Sequence, residues 1–236
     1  HMSAKKIIDE VHSEGGEIEH FYSYCGGLPA PEDNDNPFGY KFSWSPRGVV
    51  LASRNPAKFL ENGKVVDIEG KNLFAASTVL SEEIEGVGEL EVYPNRDSIP
   101  YIDIYGLEES QTVKRGTYRY RGWCDTFHKI VELGLVDDSP KSDLQGKSFS
   151  ELLEGIVGQT SDIRSAIAAK LKLNPDSDVM KRFKWLGIFD RSKQLEADNY
   201  LDNLSNLLQD KLFYGEGEKD MIVLRHRFIV KNSDGS

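Results

Sequence analysis

The sequence contains few cysteines and no long apolar segment. Its 236 residues include two cysteines, Cys25 and Cys124, which are far apart and match no CxxC or Cys/His metal-ligand spacing. Two isolated cysteines indicate reduced thiols in a reducing compartment, so we expect a cytoplasmic protein. No apolar run approaches the length of a membrane span, and no secretory leader opens the chain. His1-Met2 is typical of a remnant of expression cloning.

Several motifs that would assign a chemistry directly are also missing. There is no P-loop, no HExxH, no GxSxG and no GxGxxG placed after a predicted strand. Gly86-Val87-Gly88 lacks a third glycine and a following helix, so it does not predict a dinucleotide site. The five histidines are scattered, and we expect no metal site.

The charge balance is acidic. The chain has 39 acidic and 29 basic residues, giving a net charge of −10 and a pI of about 5.1. Nucleic-acid binding requires a basic face, so nucleic acid is not an expected partner, and nothing indicates a membrane partner. A local basic cluster can still bind a small anion in an acidic protein.

The predicted elements favour an α+β fold with a mixed or antiparallel sheet, packed helices and an inserted all-helical subdomain. Apolar residues alternate in the strand segments and recur at helical spacing between them, and Asn62-Gly63 predicts a hairpin. The predicted strands are 17–24, 88–93, 112–122 and 220–230, and the predicted helices begin near residues 4, 46 and 123. The predicted parts are 1–146 and 214–236 for the α+β domain and 147–213 for the helical subdomain.

The helical subdomain is predicted from a change in sequence character. Strand signals disappear between about Ser148 and Leu212, and four segments with helical periodicity follow one another. In the last of these, Leu201, Leu204, Leu208 and Leu212 form one apolar stripe.

A basic cluster, KRGTYRYRG, lies in the predicted strand 112–122. Alternation along a strand places Thr117, Arg119 and Arg121 on one face and Tyr118 and Tyr120 on the other. Two guanidinium groups and a hydroxyl on one face suit a carboxylate ligand. The alternative is a solvated strand face whose arginines pair with glutamates of a neighbouring strand.

Three further features point towards a cleft. Arg96 follows Pro94-Asn95, so a turn should place it at the end of a strand, although pairing with Asp97 or another nearby carboxylate is the better explanation of this residue taken alone. Cys25-Gly26-Gly27 comes after the predicted strand 17–24, and glycines there would let the backbone pass close to a ligand. The ring of Trp44 could stack on a planar group, or it could belong to the core.

Together, four segments resemble the saccharopine dehydrogenase (saccharopine reductase) family of lysine metabolism. They are SYCGGLPAPEDNDNPFGYKFSWSPRG, YPNRDS, RGTYRYRGW and EKDMIVL. The resemblance covers nearly the whole chain and is loosest between about residues 137 and 211. It implies an oxidoreductase that acts on saccharopine, a glutamate–lysine adduct with three carboxylates, using NAD or NADP. It also implies a substrate-binding domain that forms a homodimer.

By position, the resemblance assigns two groups of residues. Arg96, Thr117, Tyr118 and Arg119 match the positions at which the family contacts saccharopine. Cys25, Gly26, Phe42, Trp44 and Ser45 match the part of the cleft near the nicotinamide.

The family's dinucleotide fingerprint and its acid/base residues have no counterpart in this sequence. We therefore expect a substrate-binding domain cut from a longer parent, with no catalytic residue of its own, no bound cofactor and no dehydrogenase activity alone. The alternative is a stand-alone, non-catalytic binding or interaction module with the same fold. A mitochondrial location would follow if the parent were a eukaryotic bifunctional enzyme.

Overall fold

The structure is a computed structural model that describes residues 1–232. It contains a seven-stranded sheet and eight α-helices within that range. The strands are β1 (Glu17–Pro29), β2 (Ala57–Glu61), β3 (Lys64–Ile68), β4 (Leu80–Ile84), β5 (Gly88–Pro94), β6 (Thr112–Tyr120) and β7 (Asp220–Lys231). The helices are α1 (Met2–Ser13), α2 (Pro46–Ala52), α3 (Pro100–Tyr105), α4 (Trp123–Glu132), α5 (Phe149–Val157), α6 (Ile163–Lys170), α7 (Asp178–Leu186) and α8 (Tyr200–Gln209).

The sheet is mixed, as predicted. Its strand order is β3-β2-β6-β1-β7, and the β4–β5 hairpin pairs with the second half of β6. β1 and β6 are parallel, whereas the other pairs are antiparallel. The predicted hairpin at Asn62-Gly63 is confirmed: both residues have positive φ, 51° and 74°, as a tight two-residue turn requires.

The prediction that β1 ends before Cys25 was wrong. β1 continues to Pro29, and Cys25, Gly26 and Gly27 lie inside it, paired with β7. A Cβ at Gly26 would lie 2.7 Å from Cβ of Tyr118 and 2.8 Å from its carbonyl oxygen. Glycine is therefore needed here because β1 passes close to β6, which is a packing reason.

Two apolar clusters cover the sheet. The smaller one joins α1 to β1 and β6 and includes Ile8, Phe21 and Val113. The larger one extends from Tyr118 on β6 through α4 to the helices between residues 148 and 212. The predicted leucine stripe is fully buried in it, so the helices share a core with the sheet. The division into domains at residues 147 and 213 stays a prediction, and residues 233–236 of its last part lie outside the described residues.

Two short elements were not predicted. α3 has six residues, with Pro100 at its start and the left-handed Gly106 at its end, and β4 has five residues. Neither is long enough to show a clear period in the sequence. α3 matters below because it carries Tyr101 to the cleft.

Candidate functional site

A cleft of about 900 Å³ lies over the face of the sheet formed by β1, β6 and β7. The parallel register of β1 and β6 places Ser23 opposite Arg115 and Cys25 opposite Thr117. Because alternate residues of a strand point to one face, these four side chains and Arg119 share the cleft side. Further lining residues are Gly26, Gly27, Tyr40, Trp44, Tyr93, Arg96, Tyr101, Ile222, Leu224 and His226.

Arg119 is the most unusual side chain in the cleft. It is only 4% exposed, and no carboxylate of the described residues forms an ion pair with it. Its guanidinium carbon lies 4.7 Å from the ring centre of Tyr40, 5.4 Å from that of Trp123 and 5.7 Å from that of Tyr93. One Nη donates to the carbonyl oxygen of Tyr118 at 2.7 Å, whereas its Nε has no partner. A buried cation held by aromatic faces, with a free donor, can bind an anion.

Two more arginines line the cleft away from Arg119. Arg96 is exposed and has a φ of 55°, which places it in the turn predicted after β5. Arg115 is half-buried, and its guanidinium carbon lies 4.2 Å from the ring centre of Tyr101 on α3. Among residues 1–232, neither arginine pairs with a carboxylate, so pairing of Arg96 with Asp97 does not occur.

Aromatic side chains form one wall of the cleft. Trp44 is 54% exposed, and its Nε1 donates to the hydroxyl of Tyr40 at 3.2 Å. Tyr40 in turn contacts Arg119, so the exposed indole is linked to the buried cation through a single residue. Burial raises the pKa of Tyr93, which keeps its hydroxyl neutral beside the guanidinium.

A buried lysine anchors the segment that carries this wall. Lys41 is 4% exposed and forms ion pairs with Asp35 at 2.9 Å and Glu218 at 2.6 Å. Burial lowers the pKa of Lys41, but its hydrogen bonds to both carboxylates outweigh that effect and the net pKa is raised. The lysine therefore stays charged and ties the loop before Trp44 to the chain just before β7.

Three of the predicted site residues lie outside the cleft lining. Tyr118 points to the opposite face of β6, where its hydroxyl donates to Oε2 of Glu82 at 2.7 Å. Phe42 is buried in the larger apolar cluster, and Ser45 is the exposed N-cap of α2, accepting from the backbone N–H of Gly48. The structure brings the remaining predicted residues together, namely Cys25, Gly26, Trp44, Arg96, Thr117 and Arg119.

Arg115 lines the cleft but was not predicted as a site residue, although the sequence pattern indicates its position. The alternation that places Thr117 and Arg119 on one face also includes Arg115, two residues earlier. Arg121 lies beyond the end of β6, is 77% exposed and approaches Glu89 at 3.4 Å, so it takes no part in the cleft.

The described residues beside the cleft contain no glycine-rich turn of the kind that binds the phosphates of a dinucleotide. Gly86 lies in the turn between β4 and β5, and Gly88 is the first residue of β5. No glycine-rich turn leads from a strand into a helix N-terminus within residues 1–232. Across the same residues no helix is long and apolar enough to cross a membrane.

Comparison with known proteins gives a consistent result. The family described as saccharopine dehydrogenase C-terminal domain matches residues 1–236. A relative named saccharopine dehydrogenase [NADP(+), L-glutamate-forming], from Schizosaccharomyces pombe, is 40% identical over 246 residues, which cover 100% of this chain and 54% of the relative. Alpha-aminoadipic semialdehyde synthase, mitochondrial, from Bos taurus is 41% identical over 242 residues, covering 100% of this chain and 26% of the relative.

A solved structure agrees with both. The chain superimposes with a TM-score of 0.90 and 39% identity on apo histidine-tagged saccharopine dehydrogenase (L-Glu forming) from Saccharomyces cerevisiae, covering 100% of this chain and 54% of that one. The chain thus spans about half the length of the fungal relatives it matches.

Proposed function

The chain belongs to the saccharopine dehydrogenase C-terminal domain family, and on that premise we propose that it is the saccharopine-binding and dimer-forming domain of a saccharopine dehydrogenase. The whole protein would be an oxidoreductase acting on the CH–NH bond of saccharopine in lysine metabolism. A stand-alone binding module is not favoured, because the relatives that match the full chain carry enzyme names.

The observation that carries the proposal is the uncompensated charge of Arg119. A guanidinium group keeps its proton in proteins, so burial without a carboxylate leaves a positive charge for a ligand to neutralise. A substrate carboxylate is the anion that matches the two-donor geometry of arginine best. The competing explanation, a strand face whose arginines pair with glutamates, fails for Arg119 in the described residues.

The arrangement of the three arginines fits a ligand with carboxylates at both ends. Arg115 and Arg119 lie four residues apart on β6, a separation of roughly 13 Å along the strand. Arg96 belongs to the Arg115 end, because the neighbouring Asn95 N–H donates to the carbonyl oxygen of Arg115 at 3.0 Å. Saccharopine is an extended molecule with one carboxylate on its lysine half and two on its glutamate half, so each half would meet at least one guanidinium group.

We propose NADP as the cofactor of the whole protein, after the names of the fungal relatives. The nicotinamide would exchange a hydride with the carbon next to the bridging nitrogen of saccharopine. In this chain Cys25, Gly26 and Trp44 could form a wall beside it, while the described residues offer no phosphate-binding turn. The contribution of this chain would therefore be to hold and orient saccharopine. The bovine relative is named mitochondrial, and a cytoplasmic location stays a prediction.

Replacing Arg119 tests the binding site. A charge-assisted hydrogen bond is worth roughly 1.5–3 kcal/mol, so Arg119→Met should weaken saccharopine binding by about one to two orders of magnitude in calorimetric titration. Arg121→Met is the matched control, since it removes the same charge from the exposed end of the same segment. Unchanged affinity in Arg119→Met, or no binding by the unmodified chain, would contradict the proposal.

Arg119→Met also distinguishes a role of Arg119 in ligand binding from a role in the stability of the fold. If Arg119 served only the fold, Arg119→Met would lower the melting temperature and leave the affinity for saccharopine unchanged. Because the charge is uncompensated, we expect the melting temperature to be retained.

We also propose that the chain forms a homodimer through β7. This strand ends the sheet, and no strand of the described residues pairs with its outer edge. Ile229 on it is 44% exposed and lies outside the lining of the cleft. A long apolar edge strand favours pairing with a second copy.

Light scattering at micromolar concentration should give the mass of a dimer. Ile229→Lys should shift the mass towards the monomer, whereas Val65→Lys, at a 60% exposed position of β3, should not. A monomer mass for the unmodified chain would rule out the dimer under these conditions.

A further inference from the structure

Cys25 lies midway between two cations of the cleft. The β1–β6 register places it opposite Thr117, and Arg115 and Arg119 are two residues to either side of Thr117 on the same face. At the usual rise of a strand, each arginine is displaced by roughly 7 Å along the sheet from the cysteine. Along the sheet, the strand positions of the two arginines thus lie on either side of Cys25, and all three residues line the cleft.

The two cysteines differ sharply in accessibility. Cys25 is a free, exposed thiol that lines the cleft. Cys124 lies on α4, is 1% exposed, and has its pKa raised well above the usual value by burial and by Glu91. Cys124 therefore serves as an internal reference for an unreactive thiol.

An independent feature indicates that an anion belongs beside Cys25. The Nε of Arg119, a side chain 4% exposed and lining the same cleft, has no hydrogen-bond partner. Arg115 at the other side has no carboxylate partner in the described residues, and Tyr101 holds it in place. A molecule that reaches Cys25 is therefore attracted if it carries negative groups on both sides of its reactive atom.

We propose that Cys25 is a thiol–disulfide exchange site for peptide disulfides whose sulfur lies between two carboxylates. The tripeptide γ-glutamyl-cysteinyl-glycine, glutathione, has this order of groups: one carboxylate on the glutamyl residue, a central thiol, and one carboxylate on the glycine. Its disulfide would place one carboxylate towards Arg115 and the other towards Arg119.

The exchange is balanced without a further reagent. The thiolate of Cys25 attacks one sulfur of the peptide disulfide, a new S–S bond forms, and the original S–S bond breaks. The protein thiol is oxidised, and the departing half of the disulfide is reduced to a thiolate that takes up a proton. The adduct occupies the cleft between the arginines, so it would block carboxylate ligands until a thiol reverses the exchange.

The test compares two disulfides of opposite charge on the folded chain. Oxidised glutathione carries carboxylates at both ends, whereas cystamine carries ammonium groups. Mass spectrometry of peptides should show that oxidised glutathione modifies Cys25 and leaves Cys124 unmodified. The rate ratio is the rate at which oxidised glutathione modifies Cys25 divided by the rate at which cystamine does. This rate ratio should be higher in the folded chain than in the urea-unfolded chain by on the order of tenfold or more.

Variants decide whether the arginines cause the preference. Arg115→Met and Arg119→Met should each lower the rate ratio towards that of the unfolded chain, while Arg121→Met should leave it unchanged. Arg115 is half-buried, so its variant keeps the test decisive if Arg119→Met does not fold. A rate ratio equal to that of the unfolded chain, or one that is unaffected in both variants, overturns the proposal. Neither outcome depends on whether saccharopine binds.

Discussion

Three cations are buried in the described part of the chain, and they differ in what neutralises them. Lys41 pairs with Asp35 and Glu218, and Lys114 pairs with Glu61 at 3.1 Å. Arg119 has only aromatic faces and a carbonyl oxygen. The two buried lysines are thus neutralised by carboxylates of the chain itself, whereas Arg119 is not. The missing carboxylate at Arg119 is therefore the strongest sign that a ligand neutralises this arginine.

Gly26 and Gly27 are neighbours in β1 that differ in how much space a side chain would have. A Cβ at Gly26 would meet Tyr118 at 2.7 Å, whereas one at Gly27 would lie 3.4 Å from Cδ1 of Ile222, an ordinary contact. Gly26→Ala should therefore lower the free energy of unfolding by roughly 1–3 kcal/mol, because β1 must shift from β6. Gly27→Ala should change it by much less. Urea unfolding of both variants measures the difference, and equal effects would contradict the packing explanation.

The helices α5 and α7 both begin after an N-cap serine, but only one of these two serines makes a capping hydrogen bond. The side chain of Ser148 caps α5 by accepting from the Glu151 N–H at 3.2 Å, and Glu151 returns the contact to the Ser148 N–H at 2.7 Å. Ser177 stands at the same position of α7 but makes no cap hydrogen bond. Ser148→Ala should cost about 0.5–2 kcal/mol of stability, and Ser177→Ala should cost less. Thermal unfolding compares the two, and a larger loss in Ser177→Ala would refute the capping argument.

Ion pairs of surface carboxylates should make the stability of the whole molecule depend on pH. A hydrogen bond from a lysine or arginine side chain is the largest cause of a lowered pKa at five carboxylates: Asp35, Asp137, Asp138, Asp143 and Asp178. A carboxylate whose pKa is lower in the folded chain than in the unfolded chain stabilises the fold above the unfolded value and loses that effect as pH falls through the folded value.

The free energy of unfolding should therefore decrease as pH is lowered below about 4, the ordinary range of unfolded carboxylates. Added salt should flatten the decrease, since the carboxylates of these five pairs are exposed and their charges are screened. Urea unfolding at a series of pH values and two salt concentrations measures both effects. A stability that stays constant into the acid range would show that these ion pairs contribute nothing.

The chain by itself should show no dehydrogenase activity. The described residues contain no turn that could hold the phosphates of a dinucleotide, and hydride transfer requires donor and acceptor to be held in a fixed geometry. Saccharopine added with NADP should cause no change in nicotinamide absorbance. A saccharopine-dependent change with the pure chain would contradict this expectation.

The sequence by itself determined the local features and the family. Alternation on β6 placed Thr117 and Arg119 on one face, Pro94-Asn95 predicted the turn at Arg96, and the leucine spacing predicted α8. These features depend on neighbouring residues only, because backbone geometry sets the direction of each side chain. The motifs that identified the family are local in the same sense.

Only the tertiary structure decided which of these residues form a site. The pairing of β1 with β6 joins residues more than 90 positions apart, and its register places Cys25 between Arg115 and Arg119. The same packing buries Arg119 while leaving Arg121 exposed, turns Tyr118 to the opposite face, and brings Tyr101 to Arg115 through a helix too short to predict. Strand neighbours and their register are set by burial of the whole sheet face, and no local pattern contains that information.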